Sequence, residues 1–187
     1  MLHAGRVRGK TIAVAAAALA AGLATGDAAG AEDGLVSELK LGVQYHDVGL
    51  FETPLEQGVD LNFEILFARI KPLAFVWSPR PHLGAHVNTS GDTSQLYFGL
   101  TWTFDVTDRF WVAFGGGGAV HNGKLSTRNG EDLQLGSAAQ FRWTLEAGVT
   151  LTEHHRLSVM LDHVSNAGLA RENVGLDTLG VRYGYRF

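Results

Sequence analysis

The chain has 187 residues, no cysteine and a formal net charge of -4, and this length fits a single domain. The lack of cysteine excludes disulfides, thiolate metal sites and thiol nucleophiles, and the mild acidity argues against a nucleic-acid-binding protein, which usually carries a basic patch. Since 45% of the residues are hydrophobic, the composition is not that of a disordered chain. The 24 glycines, against only 4 prolines, favour closely packed β-structure over helices, in which glycine is costly.

The beginning of the chain has the three parts of a secretory signal peptide. Basic residues come first, an apolar run of about a dozen residues follows, and Ala29-Gly30-Ala31 forms a cleavage motif of small residues. The apolar run is shorter than the ~20 residues that a membrane-spanning helix needs, which disfavours a transmembrane anchor. We therefore expect residues 1–31 to be a signal peptide, cleaved after Ala31, and residues 32–187 to form the exported domain.

After this segment, apolar residues recur at every second position in eight separate stretches. In the first stretch Leu39, Leu41 and Val43 alternate with Lys40 and Gln44, the pattern of a strand with one apolar and one polar face. In chain order, the alternating stretches are 35–45, 59–67, 82–88, 96–104, 110–114, 140–149, 156–162 and 179–187. With their flanking residues they fit the ~9–11 residues of a tilted transmembrane strand better than the ~5–6 of an ordinary strand.

These stretches predict an all-β fold, an eight-stranded antiparallel transmembrane β-barrel of the bacterial outer membrane, with lipid outside and packed polar side chains inside. With the N-terminus in the periplasm, long external loops should alternate with short periplasmic turns. The predicted external loops lie near 47–58, 89–93, 120–133 and 166–174, and the periplasmic links near 72–81, 105–108 and 152–155. The link at 72–81 is long for a turn, and the loop at 89–93 is short.

The outward face of the last two strands becomes polar near the external loops. Leu161 is the last apolar residue on that face of the seventh strand, and the next two positions are His163 and Ser165. Residues two apart lie ~6.6 Å from each other on one side of a strand, so the imidazole can reach the hydroxyl, as a base-activated serine requires. In the eighth strand Asp177 shares the outward face with Leu179, where a carboxylate can orient the imidazole. The alternative, three polar residues at the water interface, stays open at this point.

The segment His163-Val164-Ser165-Asn166-Ala167-Gly168 resembles the His-x-Ser-Asn signature of the PagL-type lipid A 3-O-deacylases. These are eight-stranded outer-membrane barrels with an outward-facing serine-hydrolase site, and the resemblance is carried mainly by the last hairpin. It implies that Ser165 is the nucleophile and that His163 is the general base and then the acid.

The resemblance also implies roles for the loop after the serine. The Asn166 side chain and the Gly168 backbone N–H would be oxyanion donors, and Asn173 matches a further asparagine of the family. The position of the family's glutamate is held here by Asp177, which is one methylene shorter. We favour Asp177 as the acid of the triad over the nearby Glu172, which lies in the loop and not on the strand face.

The activity implied by the resemblance is hydrolysis of the ester-linked 3-hydroxyacyl chain of lipid A, in the outer leaflet of the outer membrane, with no metal or cofactor. Lipopolysaccharide and outer-membrane lipid are the expected partners, nucleic acid is not, and a homodimer is an open alternative to a monomer. Three further interpretations stay open: a non-enzymatic structural or adhesive barrel, a family member that has lost its activity, and a lipid A acyltransferase.

Overall fold

The computed structural model describes residues 34–126 and 132–187. The predicted signal peptide and its cleavage site after Ala31 lie outside these residues. Within them, eight antiparallel strands follow one another in chain order and close into a barrel, because the first strand pairs with both the second and the last. The predicted all-β, eight-stranded antiparallel barrel of the outer-membrane type is confirmed.

The strands lie where the period-two pattern predicts them, and each spans 9–12 residues. They are β1 (Val36–Tyr45), β2 (Val59–Phe67), β3 (Arg80–Asn88), β4 (Gln95–Asp105), β5 (Phe110–His121), β6 (Ala139–Thr150), β7 (His155–Ser165) and β8 (Leu176–Arg186). A 3-10 helix, Lys71–Val76, lies in the link between β2 and β3 and accounts for the unusual length of that link. No helix in the described part of the chain is long and apolar enough to cross a membrane.

The two ends of the barrel differ in their connections. Connections 46–58, 89–94 and 166–175, with the described parts of connection 122–138, lie at one end, which we call the loop end. The first residues of β1 and the last residues of β8 lie at the other, which we call the terminal end. Connections 46–58 and 166–175, named loop 1 and loop 4 below, flank β8 where it begins.

The barrel is apolar outside and polar inside, as expected for a transmembrane barrel. Along β7 the outward Leu157 and Val159 are half exposed, whereas the inward Arg156 and Ser158 are buried. Buried charges inside a barrel need partners, and they have them. Ion pairs across the interior include Lys40–Glu146 (2.7 Å), Arg80–Glu38 (3.0 Å), Arg142–Asp162 (2.5 Å) and Arg182–Glu64 (2.5 Å). This packed interior makes the wall of the barrel a rigid support for side chains on its outer face.

Candidate active site

Strand register brings the predicted site residues together on the outer face at the loop end. In the β7–β8 pair His163 lies directly opposite Asp177, and in the β6–β7 pair it lies opposite Trp143. Ser165 follows two residues further along β7, opposite Phe141. Directly opposed residues have Cβ atoms about 4.5–5.5 Å apart, so the imidazole lies between an aromatic ring and a carboxylate.

Hydrogen bonds connect the three polar side chains in series. The His163 Nδ1 lies 2.7 Å from the Asp177 Oδ1, and the His163 Nε2 lies 3.0 Å from the Ser165 Oγ. With Nδ1–H donating to the carboxylate, Nε2 accepts the hydrogen bond of the serine hydroxyl. This is the arrangement in which an imidazole can take the proton of a serine as its oxygen attacks a carbonyl.

The site is more enclosed than its position on the outer face suggests. The Asp177 side chain is only 4% exposed and that of His163 only 14%. The cover comes from loop 1, where the Val48 N–H donates to the Asp177 backbone oxygen at 2.9 Å and the Phe51 ring lies edge-on to the imidazole at 5.4 Å. Sequence reasoning missed this contact, because loop 1 has no periodic pattern; its only signal is the apolar pair Leu50-Phe51 in a polar loop.

An aromatic residue also supports the imidazole from its own sheet. The Trp143 ring is tilted by 30° against the His163 ring, with centroids 5.3 Å apart, and Phe51 contacts both rings, at 6.2 Å from that of Trp143. Such aromatic contacts restrict the rotation of the imidazole and exclude water from one side of it. We did not predict Trp143 as part of the site, although its place opposite His163 follows from the strand register.

The Asn166 side chain, predicted as an oxyanion donor, is hydrogen-bonded to two loop carbonyls. Its Nδ2 donates to the Leu135 carbonyl at 2.9 Å and to the Glu172 carbonyl at 2.6 Å, and the side chain is buried. Both amide hydrogens are therefore engaged by loop carbonyls. Asn173, the predicted supporting residue, accepts from the Asn166 backbone N–H through its Oδ1 at 3.0 Å.

The turn after Asn166 leaves two backbone N–H groups without an acceptor among the described residues. Ala167 and Gly168 both have positive φ, 55° and 75°, and the Leu169 N–H closes the turn on the Asn166 carbonyl at 3.1 Å. Two consecutive positive φ angles are typical of a type I′ turn. In the described part of the chain, the N–H groups of Ala167 and Gly168 have no acceptor. Gly168, which the family resemblance implies as an oxyanion donor, is therefore one of two consecutive residues of this turn with a free backbone N–H among the described residues.

Two further residues bear on the site: Glu172, the alternative acid, and Gly175, which the sequence did not predict as part of it. The Glu172 side chain is 41% exposed and lies 4.0 Å from Arg171, so the carboxylate beside His163 is that of Asp177. Gly175 packs under the imidazole, since a Cβ there would lie 2.8 Å from the His163 Cε1. Within residues 34–126 and 132–187, no group of three or more His, Asp or Glu side chains is arranged so that it could hold a metal ion.

Next to this site, loop 1 begins with a buried histidine held by two carboxylates. The His46 Nδ1 lies 2.9 Å from the Asp60 Oδ2, and its Nε2 lies 2.9 Å from the Glu56 Oε2. Burial opposes the charged imidazole, but these two partners outweigh it and raise the pKa of His46 to about 9. Glu56 also accepts from the Thr93 N–H and hydroxyl, so this ion cluster attaches loop 1 to the barrel.

The fold and the site together define a class: a transmembrane β-barrel with a serine-hydrolase arrangement on its outer face. A family model described as "Lipid A 3-O-deacylase (PagL)" matches residues 70–186, which include every residue of the hydrogen-bonded series. The chain belongs to this family, because the match covers more than half of it. The resemblance seen in the sequence is thereby confirmed.

The chain is also similar to a relative in sequence and to solved structures in fold. The Lipid A deacylase PagL of Bordetella bronchiseptica is 35% identical over 80 residues, which span 43% of this chain and 43% of that protein. The alignment therefore covers less than half of the length of this relative. The crystal structure of the outer membrane enzyme PagL aligns with a TM-score of 0.56 at 16% identity, over 79% of this chain and 99% of that one. A de novo designed transmembrane β-barrel aligns with a TM-score of 0.51 at 12% identity, over 84% of this chain and all of that one. At these identities both likenesses describe the fold.

Proposed function

We propose that this protein is a serine esterase that hydrolyses the 3-O-linked hydroxyacyl chain of lipid A. The observation that carries the proposal is the hydrogen-bonded series Ser165–His163–Asp177 on the outer face of the barrel. Family membership supports the substrate class, because the family is described as lipid A 3-O-deacylases. A structural or adhesive barrel has no use for such a series on its lipid-facing side.

In the first half of the proposed reaction, Ser165 attacks the ester carbonyl while His163 Nε2 takes the hydroxyl proton. Asp177 holds the imidazole by its Nδ1–H and stabilises the imidazolium that forms. When the tetrahedral intermediate collapses, the C–O bond to the sugar breaks and the imidazolium gives its proton to the departing oxygen. The products of this half are the freed 3-hydroxyl of the sugar and an acyl group on Ser165.

In the second half, a water molecule attacks the acyl-enzyme. His163 takes one proton of that water and returns it to the serine oxygen as the acyl C–O bond breaks. The fatty acid leaves and the starting state is restored. No metal or cofactor takes part in either half of the proposed mechanism.

For the oxyanion we propose the backbone N–H groups of Gly168 and Ala167 in place of the Asn166 amide. Each such donor typically contributes about 3–4 kcal/mol to stabilisation of the tetrahedral intermediate. Asn166 and Asn173 act indirectly in this proposal, because their hydrogen bonds fix the turn that presents the donors. Gly168 suits this role, since a Cβ there would meet no atom within 4 Å and the carbonyl has open space to approach.

The surroundings of Ser165 suit a substrate that lies in a membrane leaflet. Apolar side chains on the outer face near the site are half exposed, among them Phe141 (56%), Leu145 (51%) and Leu179 (41%). An acyl chain lying along this face would bring its ester to the level of Ser165 while its hydrocarbon stays in apolar surroundings. All the proposed catalytic groups come from one chain, so the mechanism does not require a homodimer.

The proposed location follows from the same features. We propose that residues 1–31 are a signal peptide, that the barrel lies in the outer membrane, and that its loop end faces the cell exterior. In that orientation the site lies beside the outer leaflet, where lipid A resides.

Mass spectrometry of lipid A tests the proposal. The refolded full barrel is incubated with lipid A beside two variants, Ser165→Ala and the control Ser90→Ala, whose serine lies exposed in another loop. Wild type and Ser90→Ala should release one hydroxyacyl chain, and Ser165→Ala should release none. Intact lipid A with a folded wild-type barrel would reject the proposed activity.

A further inference from the structure

A cavity of about 370 Å³ lies at the terminal end of the barrel, away from the proposed hydrolytic site. Strand β7 runs between the two, with Arg156 near the cavity and Ser165 at the other end. The volume is in the range of ordinary ligand sites, about 300–1,000 Å³. Its charged lining, among the described residues, consists of one carboxylate, Asp105, and five cationic side chains: Arg69, Lys71, Arg80, Arg156 and Arg186. We call this space the cationic cavity.

Two of the five cations are buried and share a single interior carboxylate. Arg80 and Arg156 are each 6% exposed; the first lies 3.0 Å and the second 3.9 Å from the same oxygen of Glu38. The Nε–H groups of both guanidiniums are buried and have no acceptor in the described part of the chain. Buried donors without acceptors are rare in folded proteins and usually indicate a missing partner.

The other three cations have no carboxylate partner among residues 34–126 and 132–187. Within the described residues, the Arg69 guanidinium makes one hydrogen bond, to the Ser78 carbonyl at 3.4 Å. Among the described residues, the five cations outnumber the carboxylates of Asp105 and Glu38, even when an α-carboxylate at Phe187 is counted with them. Like charges gathered around one cavity repel each other unless an anion compensates them.

We propose that the cationic cavity is a binding site for a phosphate-type oxyanion, either a free phosphate or phosphate ester or the phosphate of a lipid headgroup. Guanidinium groups form paired hydrogen bonds to phosphate oxygens, and several of them around one anion suit a multiply charged group better than a single carboxylate. The site is separate from the proposed esterase, so binding can be measured whether or not the barrel hydrolyses lipid A.

Isothermal titration calorimetry of the refolded full barrel with inorganic phosphate and with pyrophosphate, at low ionic strength, tests this site. The variant is Arg69→Gln/Arg186→Gln, which leaves the buried pairs of Glu38 intact. Arg171→Gln is the control, because its side chain is 97% exposed in loop 4. We expect saturable binding that weakens with added salt, falls roughly tenfold or more in the double variant, and is unchanged in the control. Arg69→Gln alone, outside the strands, gives the same comparison if the double variant does not refold.

Nanodiscs identify the source of the anion. Phosphate binding that persists in both phosphatidylglycerol and phosphatidylcholine discs indicates a free phosphate or phosphate ester. Binding that is lost only in phosphatidylglycerol discs indicates that the lipid headgroup occupies the site. Absence of saturable binding in detergent and in both discs, or equal affinity in wild type and the arginine variants, would overturn the proposal.

Discussion

The backbone N–H of Val48 donates to the backbone oxygen of Asp177 at 2.9 Å, and through this bond loop 1 is attached to the residue that holds the imidazole of His163. Strands β1 and β8 pair regularly as far as Tyr45 and Leu179, and the Val48 bond extends their contact beyond the last strand pair. The position of the carboxylate therefore depends on loop 1 as well as on β8. This relationship makes the loop part of the site.

Replacement of Asp177 by Asn should show whether the negative charge of this side chain is needed for activity. Asn keeps the size of the side chain but cannot stabilise the imidazolium, and at a comparable position of a serine protease this costs roughly 10⁴ in kcat. We expect kcat for lipid A hydrolysis to fall by about 10²–10⁴ with KM little changed. Glu172→Gln is the matched control and should retain activity. The reverse pattern, with Glu172→Gln inactive, would assign the acid to loop 4.

Gly175→Ala should displace the imidazole without removing any functional group. The new Cβ would lie 2.8 Å from the His163 Cε1, and a ring held by two hydrogen bonds cannot move without lengthening one of them. We expect a loss of about ten- to a hundredfold in kcat, since misplacement by a fraction of an ångström to 1 Å has effects of this size. Initial rates of fatty-acid release measure it.

Gly116→Ala is the control for this change, because its Cβ would meet nothing nearer than 3.8 Å, on the Phe114 ring. Both variants should refold into barrels. Equal activity of the two would mean that the His163 ring adjusts freely and that Gly175 does not position it.

The strands and the three central residues of the site could be predicted from sequence because both depend on a period of two. Once Leu161 marks the outward face, His163 and Ser165 must share it, and the same rule places Asp177 on β8. The structure keeps these positions because the polar interior leaves the strands no alternative register: a slip of one residue would turn buried charges toward lipid.

The features of the site that the sequence did not predict depend on contacts between loops, whose sequences have no periodic pattern. The Asn166 amide binds the carbonyls of Leu135 and Glu172, 31 and 6 residues away, and its direction is fixed only when loop 4 meets the segment that contains Leu135. The same holds for Phe51, which reaches His163 from loop 1. The family signature includes Asn166 but does not show which groups its amide contacts. The role of oxyanion donor was therefore inferred from the signature alone.

Phe51→Ala should lower activity while leaving the stability of the barrel unchanged. Phe51 is 64% exposed, so its truncation removes little packing, but it removes the edge contact to His163. An aromatic contact contributes about 0.5–1.5 kcal/mol, which corresponds to a roughly two- to twelvefold fall in kcat. The control is Phe75→Ala, 80% exposed at the terminal end. Identical rates for both variants would show that loop 1 covers the site without positioning it.

The attachment of loop 1 should weaken in alkali because of His46. Its pKa rises from 6.5 to about 9 on folding, so folding favours the charged imidazole between Glu56 and Asp60. The contribution to stability is fully present below pH 6.5 and is lost as the pH rises through about 9, and a shift of this size corresponds to something on the order of 3 kcal/mol. The two carboxylates stay ionised throughout this interval, since the pKa of Glu56 is lowered.

Thermal unfolding and limited proteolysis of loop 1 between pH 6 and pH 10 measure this effect. We expect wild type to lose thermal stability and protease resistance across the interval, and His46→Gln, which carries no titrating group, to start lower and change less. His154→Gln is the control, because the His154 imidazole is exposed at the terminal end, where it hydrogen-bonds the Arg186 carbonyl and has no carboxylate partner among the described residues. A pH dependence that is equally steep in wild type and His46→Gln would place the alkaline transition elsewhere in the barrel. If loop 1 supports Asp177 as the Val48 bond indicates, hydrolytic activity should decline over the same pH interval in wild type.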